Sequence, residues 1–356
     1  MFKRILVPLD GSSFAERALA HAEAFARIFD ASIVLLRVLE PSPQHDKPLP
    51  IDPLNWEIRK IEAEQYMSAV AQGIQGRLNK LMVSDTDSKK SQIAVEYVVR
   101  EGKTAENIVN FAHENNIDLL VICTHGWGGL SRWNISSVTQ KVINLIYLPV
   151  LMVRAYEQQP LENSQIHYRR ILLPFDSSRR AECVLAAGSK LANAKIPILN
   201  EVLEAKTPSD QNKNHVEQGK PTLILTTIIK RPELPIQEPH PPETKKVIDQ
   251  LMQLSKQSVQ NYLNKITEQI TGNCEIRIME NNSVVTALSK IAEEEKVDLV
   301  VLCAHGSTGQ FQCPYGSVSR SLLEDGNMPV LVIQDVPRSQ VQPTAAEKAA
   351  EKSGRR

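Results

Sequence analysis

The chain has 356 residues, enough for two domains of about 150 residues each, and 42% of them are hydrophobic, so each half can build a core. Lys and Arg number 41, as do Asp and Glu, and this zero formal net charge excludes the basic excess of a nucleic-acid binder. No polybasic run is present to hold the chain on an anionic membrane, and no apolar stretch approaches the roughly 18 residues of a spanning helix.

In chain order, short apolar runs alternate with amphipathic stretches, the pattern of βα units feeding a parallel sheet. The apolar start is read as a strand and not as a secretory segment, because it stops at Asp10. Strands are predicted near 3–9, 32–39, 93–99, 118–124 and 149–154, with helices near 12–29, 55–82, 104–115 and 137–147. A polar linker is expected at 157–167. The pattern then repeats, with strands near 169–175, 222–229, 274–280, 298–304 and 329–334 and a long helix near 243–270. Past 336 the composition turns to Gln, Pro, Ala, Glu and Lys, and a disordered tail is expected. The apolar runs are continuous and not alternating, as in strands covered by helices on both faces. Five scattered cysteines without a CxxC pair read as reduced thiols, with the cytoplasm as the expected compartment.

The repetition is literal in places. Arg4-Ile5-Leu6-Val7-Pro8-Leu9-Asp10 returns as Arg170-Ile171-Leu172-Leu173-Pro174-Phe175-Asp176. Asp118 to Gly126 returns as Asp298 to Gly306, and Pro149-Val150-Leu151-Met152-Val153 returns as Pro329-Val330-Leu331-Val332-Ile333. The expected domains are therefore 1–156 and 168–336. The second gains residues in a polar insertion at about 194–220 and loses some after its second long helix.

Ligands of an open parallel sheet bind beyond the carboxyl ends of the strands, where strand order reverses. Asp10 and Asp176 follow the first strands, and Cys123-Thr124-His125-Gly126 and Cys303-Ala304-His305-Gly306 follow the fourth. Nine residues past Gly126 and Gly306 come Ser136-Ser137 and Gly316-Ser317, each opening a helix. A glycine lets the backbone approach a phosphate closely, and a helix N-terminus offers free N–H groups to an anion.

On these motifs the chain resembles the universal stress protein (UspA-like) family in its tandem form, over nearly its whole length outside the insertion and tail. The resemblance implies two doubly wound, five-stranded parallel-sheet domains, Rossmann-like and adenine nucleotide α-hydrolase-like, with strand order 3-2-1-4-5. ATP-binding members of the family carry Gly-x2-Gly-x9-Gly-[Ser/Thr] at this loop and an Asp after the first strand. Here Cys123 and Cys303 replace the first Gly, and Ser136 replaces the last Gly in the first half. The resemblance assigns ATP, or AMP or ADP in its place, to Pro174, Asp176, Ile228, Cys303, Gly306, Gly316, Ser317 and Val318. The matching positions in the first half are Pro8, Asp10, Val38, Cys123, Gly126, Ser136, Ser137 and Val138. The second half is the better match, and an empty first half is left open. Mg2+ is expected only through the phosphates. The resemblance also implies antiparallel pairing of the fifth strands, Val150–Val153 with Val330–Ile333, as an internal pseudo-dimer, with a homodimer of chains and a protein partner left open.

Plainer roles stand beside these. Asp10 and Asp176 are candidate helix caps, and Ser137-Val138-Thr139-Gln140 reads as a capping box that Arg320 breaks in the second half. Cys123 and Cys303 read as buried strand-end side chains without a resolving cysteine nearby in sequence, His125 and His305 as residues that orient their own turn, and Lys103 as solvated. Trp127 and Trp133 flank the first-half loop. Neither a Walker Gly-x4-Gly-Lys-[Ser/Thr] nor a Gly-x-Ser-x-Gly elbow occurs. The expectation is a regulatory nucleotide-binding module and not an enzyme, with a structural or interaction protein of degenerate pockets as the alternative and a slow ATPase behind both.

Overall fold

The structure, a computed structural model, describes residues 1–41, 53–83, 93–126, 135–155, 165–194, 196–197, 218–234, 241–307 and 313–336. Most of the linker and insertion, the tail, Trp127 and Trp133 lie outside the described residues.

The first half runs β1 (Arg4–Pro8), α1 (Ser13–Phe29), β2 (Ser32–Leu39), α2 (Pro53–Val83), β3 (Val95–Glu101), α3 (Thr104–Glu114), β4 (Leu119–Cys123), α4 (Ser137–Leu145) and β5 (Val150–Val153). The second half opens with β6 (Arg170–Pro174), a 3-10 turn (Ala181–Val184) and α5 (Leu185–Ala192). A two-residue ladder follows, β7 (Ile196–Pro197) with β8 (Gln218–Gly219). Then come β9 (Thr222–Ile229), α6 (Pro242–Gln269), β10 (Asn273–Glu280), α7 (Val284–Glu294), β11 (Leu299–Cys303), α8 (Ser317–Asp325) and β12 (Val330–Ile333).

The ten long strands form one sheet in the order β10-β9-β6-β11-β12-β5-β4-β1-β2-β3. Each half is parallel and ordered 3-2-1-4-5, and the halves meet where β12 pairs antiparallel with β5, Leu331 opposite Leu151. Alternation along the strands splits the core into two layers. Ile5 and Val7 pack with α1, α2, α5 and α6 on one face, while Leu6 packs with α3, α4, α7 and α8 on the other. Strands β4, β5, β11 and β12 are buried at every position, the signature of a sheet covered on both sides.

The register also locates the length changes. Arg4 pairs with Ser32 and Arg170 with Thr222, an offset of 222 − 32 = 190, against 170 − 4 = 166 one strand earlier. Val95 corresponds to Cys274, an offset of 274 − 95 = 179, so residues are lost between the second long helix and the third strand. One difference from the expected repetition is the helix after β6. Its counterpart α1 runs 17 residues from a Ser12 cap, but this segment begins with the i+3 bonds Glu182 to Arg179 and Cys183 to Arg180 and keeps only eight α-helical residues.

Side chains tie the halves together across the β5–β12 seam. Arg154, just past β5, is buried and donates to carbonyls at the C-terminal end of α8: Nη1 to Leu323 at 2.8 Å, Nε to Met328 at 3.0 Å, and Nη2 to Leu322. A cation at a helix C-terminus satisfies orphan carbonyls and complements the dipole. Tyr315 donates to the Leu148 carbonyl at 3.0 Å, and Gln140 on α4 to Glu324 on α8 at 2.6 Å. On the other face, His21 of α1 meets the Tyr168 hydroxyl at 2.7 Å. Burial pushes that imidazole down to about 4, so it is neutral at pH 7.

Replacing Arg154 by Met keeps the aliphatic stem and removes the guanidinium from three carbonyls, of which Leu322 still accepts from Gly326 N. The expected loss is about 2–4 kcal/mol of unfolding free energy, measured by urea denaturation. A loss below about 0.5 kcal/mol would show that the seam does not depend on this clamp.

Candidate functional site

At the carboxyl edge of each half the same parts converge. Pro8 and Pro174 end the first strands, and Leu9 and Phe175 still bond the neighbouring strand through the Leu36 and Thr226 carbonyls. Asp10 and Asp176 come next, before a left-handed residue, Gly11 at φ 81° and Ser177 at φ 62°. The carboxylates do not cap the following helix, contrary to the capping role considered above. Asp10 Oδ1 accepts from Ser12 N at 2.9 Å and Ser12 Oγ at 2.6 Å, and Ser12 is the cap, accepting from Ala15 N. Asp176 holds Ser178 in the same way, at 3.0 and 2.5 Å.

The glycine after the fourth strand presses on this carboxylate. A Cβ on Gly126 would run into Asp10 Oδ2, and one on Gly306 would fall 2.5 Å from Asp176 Oδ2, so a side chain at either position would force the carboxylate to shift. Ser307 N donates to Asp176 Oδ2 at 2.6 Å. Val38 and Ile228 flank the cleft half-buried near the ends of β2 and β9.

The helix entrances differ. In the first half the cap is Ser136, whose Oγ accepts from Thr139 N at 3.1 Å. This overturns the capping box placed on Ser137: the cap falls one residue earlier, Ser137 and Val138 are the first helical residues, and Gln140 reaches Glu324. In the second half the cap is Gly316, with no side-chain cap bond, so the first-turn N–H groups at Ser317 and Val318 keep no side-chain acceptor. The third position there is Ser319, bonded back to the Ala304 carbonyl, and not Arg320, which pairs with Glu324. A Cβ on Gly316 would stand 3.3 Å from the Ala304 carbonyl oxygen.

Cys123 and Cys303 are buried, and by strand alternation they point toward the α1 and α5 face, away from the phosphate-side helices. Both are the buried strand-end side chains expected from the sequence. A partner thiol does exist: Cys183 on the 3-10 turn lies against Cys303, whose hydrogen bond and the local burial push the Cys183 thiol far up. Cys313 is exposed. Lys103 is solvent-facing and pairs with Glu106.

Other residues of the site were not singled out from the sequence. Tyr66 donates to Glu16 at 2.7 Å and Tyr262 to Glu182 at 3.3 Å, fastening each long helix beside the aspartate. Thr226 and Thr227 on β9 are buried, and their hydroxyls have no partner among the described residues. The spacing of 166 relates Glu16 to Glu182 and is a usable signal; the tyrosines fall outside it.

The second cleft suits an adenine nucleotide on two counts: the glycine cradle against Asp176 and the uncapped N-terminus of α8. Among the described residues no cluster of His, Cys, Asp and Glu could hold a metal ion. Nor, among them, is any helix long and apolar enough to cross a membrane.

A duplicated, doubly wound α/β unit with a glycine-lined turn at its switch point defines a class of nucleotide-type folds. Within that class the chain belongs to the universal stress protein family, whose profile matches residues 1–154 and 222–334. A universal stress protein of Methanocaldococcus jannaschii is 30% identical over 155 residues, covering 43% of this chain and 83% of that protein. Among solved structures, a universal stress protein from Archaeoglobus fulgidus matches 94% of this chain and 98% of its own at 16% identity with a TM-score of 0.54. One from Pseudomonas aeruginosa matches 93% of each at 13% identity with a TM-score of 0.58. At these identities the structures establish the shared tandem fold alone.

His305 orients its own loop in the second half. Nε2 meets the Cys313 carbonyl at 2.8 Å and Nδ1 meets Asp335 Oδ1 at 2.7 Å, so both nitrogens face acceptors, an arrangement suited to the imidazolium. The Asp335 hydrogen bond raises the His305 pKa above its ordinary value. A raised histidine contributes stability in full below the unfolded pKa of 6.5 and loses it as pH climbs through the folded value. Comparing wild type with His305→Gln by urea denaturation should give a gap of about 2 kcal/mol at pH 5.5 that narrows steadily toward pH 9. A gap independent of pH would show that the ring is neutral in the fold.

Proposed function

We propose that the chain is a stress-response regulatory module that works in the cytoplasm and binds ATP or a related adenine nucleotide, chiefly in the second half. The observation that carries this reading is the entrance of α8, where Gly316 leaves the first-turn amides without a side-chain cap beside the Gly306–Asp176 contact. Free amides at the positive end of a helix dipole, reached over a glycine-lined loop, suit a phosphate chain.

The reading is of a binding module and not an enzyme. Phosphoryl transfer needs a cation on the γ-phosphate and a group that positions the nucleophile, and the residues gathered here supply donors without such a pair. Nucleotide occupancy would change which partner surface the module presents. The alternative, an interaction protein with degenerate pockets, draws its support from the first half, where Ser136 already occupies the amide of Thr139.

Protein purified without added ligand and then denatured should release one adenine nucleotide per chain by mass spectrometry, and Gly316→Val should abolish that release. Two per chain would place nucleotide in both halves. Recovery of none, with no thermal shift on adding ATP and magnesium, would replace this reading with the interaction-protein alternative.

A further inference from the structure

The two clefts differ most at one position of the second strand. The registers of β2 on β1 and of β9 on β6 place Arg37 where the second half has Thr227. The Arg37 guanidinium lies over the left-handed turn after β1, and a Cβ on Gly11 would come within 2.8 Å of its Nη1. Gly11 is therefore the space this guanidinium uses, and the second half, with threonine at 227, carries Ser177 at the matching turn.

Arg37 Nε and Nη1 are buried and have no hydrogen-bond partner among the described residues. The charged and titratable groups around the guanidinium are Asp10, Tyr66 and Arg59. Arg59 adds a second positive charge, and it stacks on Trp56 at 5.1 Å. Of the nearby acids, Asp10 already holds Ser12 through Oδ1, and Glu16 accepts from Tyr66. The Arg37 guanidinium thus feels one carboxylate and a second positive charge. Buried donors without acceptors are costly, and the ligand group that satisfies a guanidinium best is an oxyanion.

We infer that the first-half cleft is specialised for a nucleotide carrying a second phosphate on its ribose, with Arg37 holding that phosphate. In doubly wound sheets an acid near the ribose binds its hydroxyls, and an arginine there accommodates a ribose phosphate. The inference rests on the nucleotide reading of these clefts and adds that the two halves select different nucleotides.

The test uses the full chain with Gly316→Val to silence the second cleft. Calorimetric titration would compare adenosine 2′,5′-bisphosphate and adenosine 3′,5′-bisphosphate with ADP, which has as many phosphates in another place. One bisphosphate should bind at least tenfold tighter than ADP, at one per chain, and Arg37→Thr should erase the preference. Arg37→Gln, close in shape and uncharged, should erase it too, and unchanged melting temperatures would show that both variants fold. Equal affinity for ADP and both bisphosphates, or a preference that survives both substitutions, overturns the inference. So does a gain of ADP binding in Arg37→Thr, which would make the guanidinium a plug. ATP binding to the unsubstituted chain is read separately: if it is present while the bisphosphate preference is missing, this inference fails alone. If it is missing while the preference holds, the second-half reading fails alone.

Discussion

The antiparallel pairing of β5 with β12 is the constraint on which the rest of the molecule depends. Each half alone would present a fifth strand whose four residues are all buried here, a flat apolar edge of the kind that recruits other chains. Pairing the two edges removes both liabilities and makes one ten-stranded sheet. Because the pair is antiparallel while each half is parallel, the carboxyl edges of the two halves face opposite ways. The clefts therefore lie far apart and share no residue. Side chains reinforce the seam: Arg154 and Tyr315 reach across it to carbonyls of the opposite half.

Much of the fold was legible because the repetition is carried by strands buried on both faces, which write themselves as unbroken apolar runs. Strands β2 and β9 have the predicted bounds, and the others differ by a residue or two at their ends. The long helices were equally plain. What failed was local. Ser-x-x-Gln is a valid capping-box pattern at Ser137, yet the cap is Ser136, whose third residue on is Thr139, and Gln140 reaches away to Glu324. The weaker helix after β6 was also missed, since its sequence is no less apolar than that of α1.

The site was legible in its backbone parts and opaque in its side-chain contacts. Asp10, Asp176, Gly126 and Gly306 could be placed because they follow strand ends within a residue or three. The Tyr262–Glu182 pair spans 80 residues, and the His305–Asp335 pair spans 30. No periodicity joins such residues; only the sheet register does. Arg37 illustrates the limit. In sequence it is a charged residue inside an apolar strand, and its meaning depends on the turn conformation at Gly11, one strand away.

Comparing the halves position by position argues against random decay of one site. Arg37 occurs with Gly11, whose missing Cβ makes room for it, while Thr227 occurs with Ser177. Thr124 accepts from Ala155 N and meets His125, whereas its counterpart Ala304 goes with a histidine that finds Asp335 at the position of Ala155. The Thr124/Ala304 and Ala155/Asp335 changes come together, so the loop histidine keeps a side-chain partner in both halves. A pocket that had only lost its ligand would accumulate unmatched substitutions, leaving voids or stranded polar groups around the aspartate. Arg37 keeps two buried nitrogens, and Thr226 and Thr227 keep buried hydroxyls, without partners among the described residues. Arg37 and Thr227 occupy the same register position, so one place on the second strand carries a guanidinium in the first half and a hydroxyl in the second.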